Sequence, residues 1–330
     1  MKERGVTASV VIVRSDGSLM SEEFASVRPV ETLLCGPAAS VIGGVRLAGE
    51  SDCVVVDMGG TTTDIALVKG NIPVTAVDGV SIGRWKTFVN GLYVKTFGLG
   101  GDSAAHYGAN GLILEEYRII PLCIAAGKYP VITENLKKLI AETEHRHMKY
   151  LHEHYILIKD ITGSPRYTDE EKAFCAALKD NPLILKEAAA AVGRDIYTLN
   201  VSRLLKEGIV QMCGLTPTDI MHIKGDFKKY NAEASMLGAE FTAFNLGVSI
   251  EELCGLVYDE IKRKIYLNAV KVLLENNDPH YMKHGVSKDV EKVINDSYET
   301  AKSGKRALRT SKPTLRIFIR TVTPRLCWKS

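Results

Sequence analysis

The sequence predicts an α/β protein of about two domains, with a glycine-rich strand-and-turn region (residues 1–130), a mainly helical region (131–300) and a basic irregular tail (301–330). Three observations carry this prediction. Short apolar runs separated by Gly, Asn, Asp and Ser turns fill the first third. Beyond Val131, apolar residues recur at helical spacing behind capping boxes. The segment Ala301–Ser330 holds nine Lys or Arg and no acid. The net charge of +3 therefore resolves into +9 on the tail and about −6 on residues 1–300, and the body offers no electrostatic footprint for nucleic acid. The chain of 330 residues is 45% hydrophobic and 25% charged, ordinary values for a soluble globular protein.

Along the chain, Ala8–Val13 reads as a strand closed by the turn Ser15-Asp16-Gly17-Ser18. Gly36-Pro37 opens a helix to about Ala48, with Pro37 suited to a first helical turn. Strands follow over Cys53–Met58, Asp64–Val68 and Ile72–Val77, with Lys69-Gly70-Asn71 turning between the last two. Another strand near Leu92–Phe97 leads into the glycine turn Gly98-Leu99-Gly100-Gly101-Asp102. In the helical region, Glu134–His154 reads as one helix, Thr168-Asp169-Glu170-Glu171 caps a second, and Ser249-Ile250-Glu251-Glu252 opens the longest. The last should carry Leu253, Leu256, Val257, Ile261 and Ile265 as a stripe and stop before Pro279. The start, Met1 to Gly5, lacks an apolar signal region, and no stretch approaches the roughly 20 apolar residues of a membrane span. Seven scattered cysteines without a Cys-x-x-Cys pair suit buried free thiols in a reducing cytoplasm.

The chemistry concentrates in Asp57-Met58-Gly59-Gly60-Thr61-Thr62-Thr63-Asp64, directly after the apolar run Cys53–Val56. Gly59 and Gly60 can take positive φ and let backbone N–H groups approach a phosphate. Thr61, Thr62 and Thr63 offer hydroxyls to phosphate oxygens. Asp57 and Asp64 repel a phosphate unless a hard divalent cation stands between, so the set implies magnesium, held through its waters, and a nucleotide. The bland alternative is a hairpin in which Asp57 merely ends a strand. No Gly-Lys-Ser/Thr follows, which separates this loop from the helix-opening P-loop.

The loop resembles a phosphate motif of the superfamily that contains actin, the sugar and acetate kinases and the heat-shock chaperones, with an actin-like (ribonuclease H-like) lobe. More narrowly, the chain resembles the hydantoinase A/5-oxoprolinase family over about residues 1–275. The matching stretches, in order, are Arg28 to Gly44, Val56 to Asp64 and Gly214-Leu215-Thr216-Pro217-Thr218-Asp219. The resemblance implies ATP-driven phosphorylation of the oxygen of a cyclic amide such as hydantoin or 5-oxoproline, with water opening the activated ring. It implies Asp57 and Asp64 as catalytic and magnesium-holding acids, Gly100 and Gly101 as further nucleotide contacts, Asp102 as a further metal ligand, and a second hydantoinase-type subunit as partner. Family members carry another Asp-x-Gly-Gly-Thr loop nearer their start; this sequence has only one, so a first lobe is expected to be missing. The tail from about Gly304 matches nothing in the family and reads as the product of a frameshift or truncation, against a genuine basic tail contacting RNA or an acidic partner.

Other constellations read more simply. His145, His147, His152 and His154 on one helix would have same-face pairs seven residues apart, roughly 10 Å, too far for one ion, which makes them a solvated face. Residues 182–212 resemble a winged helix, with a helix over Lys186–Val192, a turn at Gly193 and a second helix over Asp195–Leu205. That second helix offers only Arg203, so DNA reading is not expected and a noncatalytic nucleotide-binding regulator is the alternative function. Asp102 with His106, and Asp219 with His222, could each be a base or metal-ligand pair, or a turn-capping Asp beside a structural His.

Overall fold

The structure is a computed structural model and describes residues 5, 7–76, 79–82, 85–142, 145–303 and 317–321. The chain divides into two compact units, residues 1–97 with 265–330, and residues 98–264. Both mix strands and helices, so the fold class is α/β. The division differs from the sequence expectation of a boundary near residue 130. The change from strand to helix pattern falls inside the second unit, because a hairpin there belongs to the helical core.

The first unit opens with β1 (Val11–Val13) and β2 (Leu19–Ser21), an antiparallel pair with Ile12 opposite Met20. Only the last three residues of the expected Ala8–Val13 strand pair. Ser21 caps α1 (Glu22–Val27) by accepting a hydrogen bond from Phe24 N–H at 3.2 Å. Next comes α2 (Cys35–Ala48), with Pro37 as its third residue and Gly49 closing it in the left-handed conformation. The central hairpin is β3 (Cys53–Met58) and β4 (Thr63–Lys69). Gly70 and Asn71, at φ 58° and 65°, turn the chain into β5 (Ile72–Pro73), a pair of left-handed residues suited to a tight hairpin. The expected strand to Val77 stops at Pro73, and Val77 lies outside the described residues. After the short pair β6 (Ser81–Ile82) and β7 (Trp85–Lys86), β8 (Val94–Phe97) joins β4 antiparallel.

Packing of α2 on this sheet is close. A Cβ on Gly44 would come within 2.8 Å of Val55 Cγ1. Val45 and Ala48 pack against Cys53, Val55 and Val68, while Ala38 and Val41 pack against Ala66 and Leu92. The helix therefore runs with its N-terminus toward the turn between β3 and β4.

The second unit begins with the hairpin β9 (Ser103–Gly108) and β10 (Gly111–Arg118), followed by β11 (Ile120–Pro121), α3 (Leu122–Lys128) and α4 (Val131–Glu142). Ala104 and Ala105 of β9 are fully buried, and Ala105 N–H donates to the Leu215 carbonyl at 2.8 Å. This contact ties the hairpin to the helical region. The helix expected to reach His154 ends at Glu142, and His154 opens β12 (His154–Leu157). The physical reason is burial. Every residue from Leu151 to Ile156 is buried, the pattern of an interior strand. His152 and His154 are at 0% exposure, so the solvated-face reading of the histidines fails for them; His145 is exposed and His147 half-buried.

Beyond β12 lie α5 (Asp169–Ala177), β13 (Leu183–Ile184), α6 (Leu185–Ala190), α7 (Ser202–Lys206) and β14 (Val210–Gly214). The capping box at Thr168 forms as expected, with Glu171 N–H donating to Thr168 Oγ1 and Thr168 N–H donating to Glu171. In the segment expected as a winged helix, the second helix is only five residues long. The carboxylate of Asp195 accepts from Tyr197 and Thr198 N–H, and this local turn holds off helix formation. Strands β13 and β14 both pair antiparallel with β12, in a sheet of order β11-β14-β12-β13. Leu185, Ala188, Leu204 and Val210 share one core with Tyr107, Leu139 and Phe241, so the segment is part of the unit's core and not a separate module. Arg203 is already paired with Glu171 and Glu207.

The unit is completed by α8 (Pro217–Lys224) and α9 (Ala232–Leu246). The 28-residue α10 (Ile250–Asn277) begins in the second unit and ends in the first. Ser249 and Glu252 close the expected capping box, and the helix stops before Pro279. Of its expected stripe, Leu253, Val257 and Ile265 are buried, whereas Leu256 is 40% exposed. Then follow α11 (Pro279–His284), α12 (Lys288–Lys302) and β15 (Ile317–Thr321), which pairs parallel with β3. This strand departs from the expectation of a patternless tail; residues 304–316 and 322–330 lie outside the described residues. Five of the six described cysteines are buried and none is paired. Among the described residues no helix is long and apolar enough to cross a membrane.

Candidate functional site

The β3–β4 hairpin places Asp57 directly opposite Asp64, with Met58 opposite Thr63. Side chains of paired residues point to the same face, where their Cβ atoms stand roughly 5 Å apart. Alternation puts this pair on the face shared by Cys53, Val55, Ala66 and Val68, the one that α2 covers. The buried apolar run up to Val56 anchors the strand, and the acids emerge where that burial ends.

Gly59 to Thr62 form the turn, closed by Gly59 N–H donating to the Thr62 carbonyl at 2.9 Å. Neither Gly59 nor Gly60 adopts a positive φ, which corrects the expected reason for glycine here. A Cβ on Gly59 would meet only the Thr62 carbonyl oxygen, at 3.6 Å. What the glycines leave is uncovered backbone. Gly60 and Thr61 are exposed and Thr62 is half-buried. Thr63 is 1% exposed and lies, by alternation, on the face opposite the two acids, away from its expected company.

The electrostatics of the pair are unbalanced. Asp64 Oδ1 accepts a 2.6 Å hydrogen bond from the Thr96 hydroxyl of β8. Burial pushes the Asp64 carboxyl up, the Thr96 hydrogen bond opposes this, and the neighbouring charge of Asp57 adds to the rise. Asp57 Oδ1 is buried and has no hydrogen-bond partner. Two carboxylates facing each other, with one oxygen unsatisfied, form a donor set suited to a hard cation. Among the described residues no group of three His, Cys, Asp or Glu could hold a metal.

The N-terminus of α2 points toward the same end of the sheet. Its N-cap, Leu34, is left-handed at φ 59°, and no side chain caps the helix. Gly36 is exposed, and a Cβ there would meet nothing within 4 Å. Uncapped N–H groups at a helix start favour an anion. The Cys35-Gly36-Pro37 stretch, read from the residues both as a helix opening and as part of a matching motif, forms that helix start.

The second glycine turn is built differently. A Cβ on Gly98 would lie 2.4 Å from the Glu116 carbonyl oxygen, so the residue is glycine because two backbones touch. Gly100 is buried and its N–H donates to Ser103 Oγ at 3.1 Å; the Gly101 carbonyl accepts from Thr218 N–H at 2.9 Å. These groups are engaged within the unit. Asp102 belongs to the same unit, with Arg118 3.9 Å away; burial raises its carboxyl, Arg118 opposes this and Asp219 adds to it.

The sets Asp102–His106 and Asp219–His222, open between a base or metal-ligand role and a structural one, find other partners. His106 lies between Glu153 (Nε2 to Oε1, 2.7 Å) and Glu115 (Nδ1 to Oε1, 3.1 Å) and stacks on Tyr150 at 3.7 Å. Burial lowers its pKa, but the Glu153 and then the Glu115 interactions more than offset this and raise it. His222 bonds the Thr218 carbonyl and accepts from Tyr230 N–H. Asp219 is wholly buried and accepts from the N–H groups of Leu122, Cys123 and Thr216 and the hydroxyls of Thr216 and Ser235, at 2.8–3.2 Å. It joins the starts of α3 and α8 to α9 and has no spare acceptor direction for a ligand.

Comparison with known proteins places these observations. Residues 1–134 match the model of the hydantoinase/oxoprolinase family. The caprolactamase subunit alpha of Pseudomonas jessenii is 31% identical over 115 residues, 34% of this chain and 16% of that protein. The present chain thus spans about a sixth of the length of that relative. Among solved structures, nucleotide-free acetone carboxylase, from a study of ATP-dependent acetone carboxylation, aligns with 81% of this chain and 28% of its own, at 14% identity and a TM-score of 0.46.

Proposed function

We propose that this chain, whose first 134 residues match the hydantoinase/oxoprolinase family, carries one phosphate-binding half of an ATP-dependent enzyme that opens cyclic amides. The observation that supports it best is the Asp57–Asp64 pair with its unsatisfied oxygen, set beside an open Gly-Gly-Thr-Thr turn. Asp57 and Asp64 hold magnesium, directly or through its waters. The amides of the Gly59–Thr62 turn and the hydroxyls of Thr61 and Thr62 grip phosphate oxygens, and the uncapped start of α2 adds a positive end. Thr96 fixes the Asp64 carboxylate in place.

When bound, magnesium-ATP supplies the phosphoryl group and neutralises charge around it. The oxygen of a hydantoin- or 5-oxoproline-type amide would accept the γ-phosphoryl group as ADP leaves; addition of water to the activated carbon, loss of inorganic phosphate and cleavage of the ring C–N bond would then give the open-chain carboxylate and amine. Protein residues contribute positioning and charge, which is where phosphoryl transfer gains most. A second polypeptide of the same family is the proposed partner, in keeping with a relative that is itself called a subunit.

Calorimetry of magnesium-ATP on this chain tests the reading. Binding that needs magnesium and disappears in Asp57→Ala is expected. Undetectable binding, or equal binding by the variant, would place the nucleotide elsewhere.

A further inference from the structure

The eight histidines of the chain divide sharply by environment. His106, His152, His154 and His222 are buried, and His145 and His147 lie two residues apart between α4 and β12. His280 and His284 are both exposed and occupy positions i and i+4 of α11. Residues four apart on a helix share a face, so the two imidazoles stand side by side. Their ring centroids are 5.0 Å apart with planes inclined at 45°. Neither ring takes part in a hydrogen bond or ion pair of the hairpin or its surroundings.

That spacing has a chemical meaning. With Zn–N bonds of about 2.0–2.1 Å and each ring centre about 1.2 Å behind its nitrogen, a tetrahedral angle puts two ligating imidazole centres about 5 Å apart. The pair therefore already stands at chelating distance. We infer that His280 and His284 form a two-imidazole site for a divalent transition ion of the zinc, nickel or copper class.

The helix that carries the pair is fixed at both ends. Asp278 accepts from His280 N–H at 2.8 Å, Pro279 occupies the first helical position, and Gly285 at φ 71° ends the helix with its N–H on the Tyr281 carbonyl at 2.8 Å. Six residues are too few for a stable helix in isolation; these caps hold the histidines in register before any ion arrives. Neutral imidazole nitrogens favour borderline transition ions over magnesium or calcium, which take oxygen. No third His, Cys, Asp or Glu among the described residues completes a metal group, so water or an external ligand fills the remaining positions. This site is chemically distinct from the carboxylate pair at Asp57 and Asp64 and does not rest on the proposed reaction.

The test is a zinc chloride titration of the full, untagged chain by calorimetry, with retention on nickel-charged resin as a second readout. One equivalent of zinc is expected at this site. His280→Gln and His284→Gln should each weaken it by roughly 100-fold, because losing one arm removes the effective concentration that a chelate provides. A His145→Gln/His147→Gln double variant should bind as the parent does. Both target histidines are exposed, so circular dichroism should show each variant folded. Parent-like binding in either single variant, or loss of binding in the double variant, overturns the inference.

Discussion

Two buried or half-buried acids in this chain have opposite lives. Asp219 of the second unit is wholly enclosed and its two oxygens accept five hydrogen bonds. Asp57 of the first unit faces another carboxylate and keeps a buried oxygen with no partner. Both belong to a short Thr-containing motif, and both invite a functional reading from sequence. The donor account separates them. A carboxylate whose acceptor capacity is spent inside the protein is holding structure together, whereas one left with repulsion and an empty lone pair is arranged for something that arrives later.

The contrast is broken most directly by removing each acid. Asp219→Ala strands five donors in a dry core and should cost about 3 kcal/mol or more, read as a lowered melting temperature for the second unit. Asp57→Ala removes a repulsion and an orphan oxygen, so its stability should stay within about 1 kcal/mol of the parent or rise, while magnesium-ATP binding is lost. Equal destabilisation by the two substitutions would erase the distinction.

The two glycine turns give a second comparison. Gly98→Ala forces a methyl to 2.4 Å from the Glu116 carbonyl and should destabilise by about 2 kcal/mol. Gly59→Ala meets only one atom at 3.6 Å at an ordinary φ and should change the unfolding free energy from urea titration by no more than about 0.5 kcal/mol.

Acid sensitivity should also concentrate in the second unit. Burial lowers His152 to about 3, helped by the charges of His106 and His154; burial lowers His154 to about 4, with the His152 carbonyl opposing. Between an unfolded value near 6.5 and those values, the unfolded chain binds more protons than the folded one. The contribution of these two histidines is therefore full above about pH 6.5 and falls as the pH drops, by roughly 1.4 kcal/mol per unit for each. Urea titrations at several pH values should show that slope, and His154→Phe should flatten it. A more modest effect on the site should come from Thr96→Val. Without its hydroxyl the Asp64 carboxyl rises further, so magnesium binding shifts to higher pH with a stability change of about 1 kcal/mol.

How much of this could be read from residues alone depends on the range of the determining contacts. The Asp57–Asp64 hairpin, the helix after Gly36 and the capping boxes at Thr168 and Ser249 are local, set within a few residues, and all form as read. The helix through the histidines failed because its apolar spacing ends at Ile140, and the buried strand that follows is recognisable only once β13 and β14 flank it. The partner of His106, left open in the residues, is likewise set at long range. His106 finds Glu153, 47 residues away, instead of the acid four residues before it. The pair at His280 and His284 is not singled out from the residues; the capped helix gives their four-residue spacing its geometry.

The contact between Gly44 and Val55 has a consequence for how the site is kept in tune. Val55 sits two residues before Asp57 on the same strand, and Gly44 sits on the helix whose start faces the same hairpin. The missing side chain works as a shim of zero thickness between the positive end of one element and the acidic end of the other. Any residue larger than glycine would act as a wedge, tilting the anion-attracting edge away from the cation-attracting one. The spacing of the two elements is thus set from below, by a hydrogen atom well inside the apolar layer.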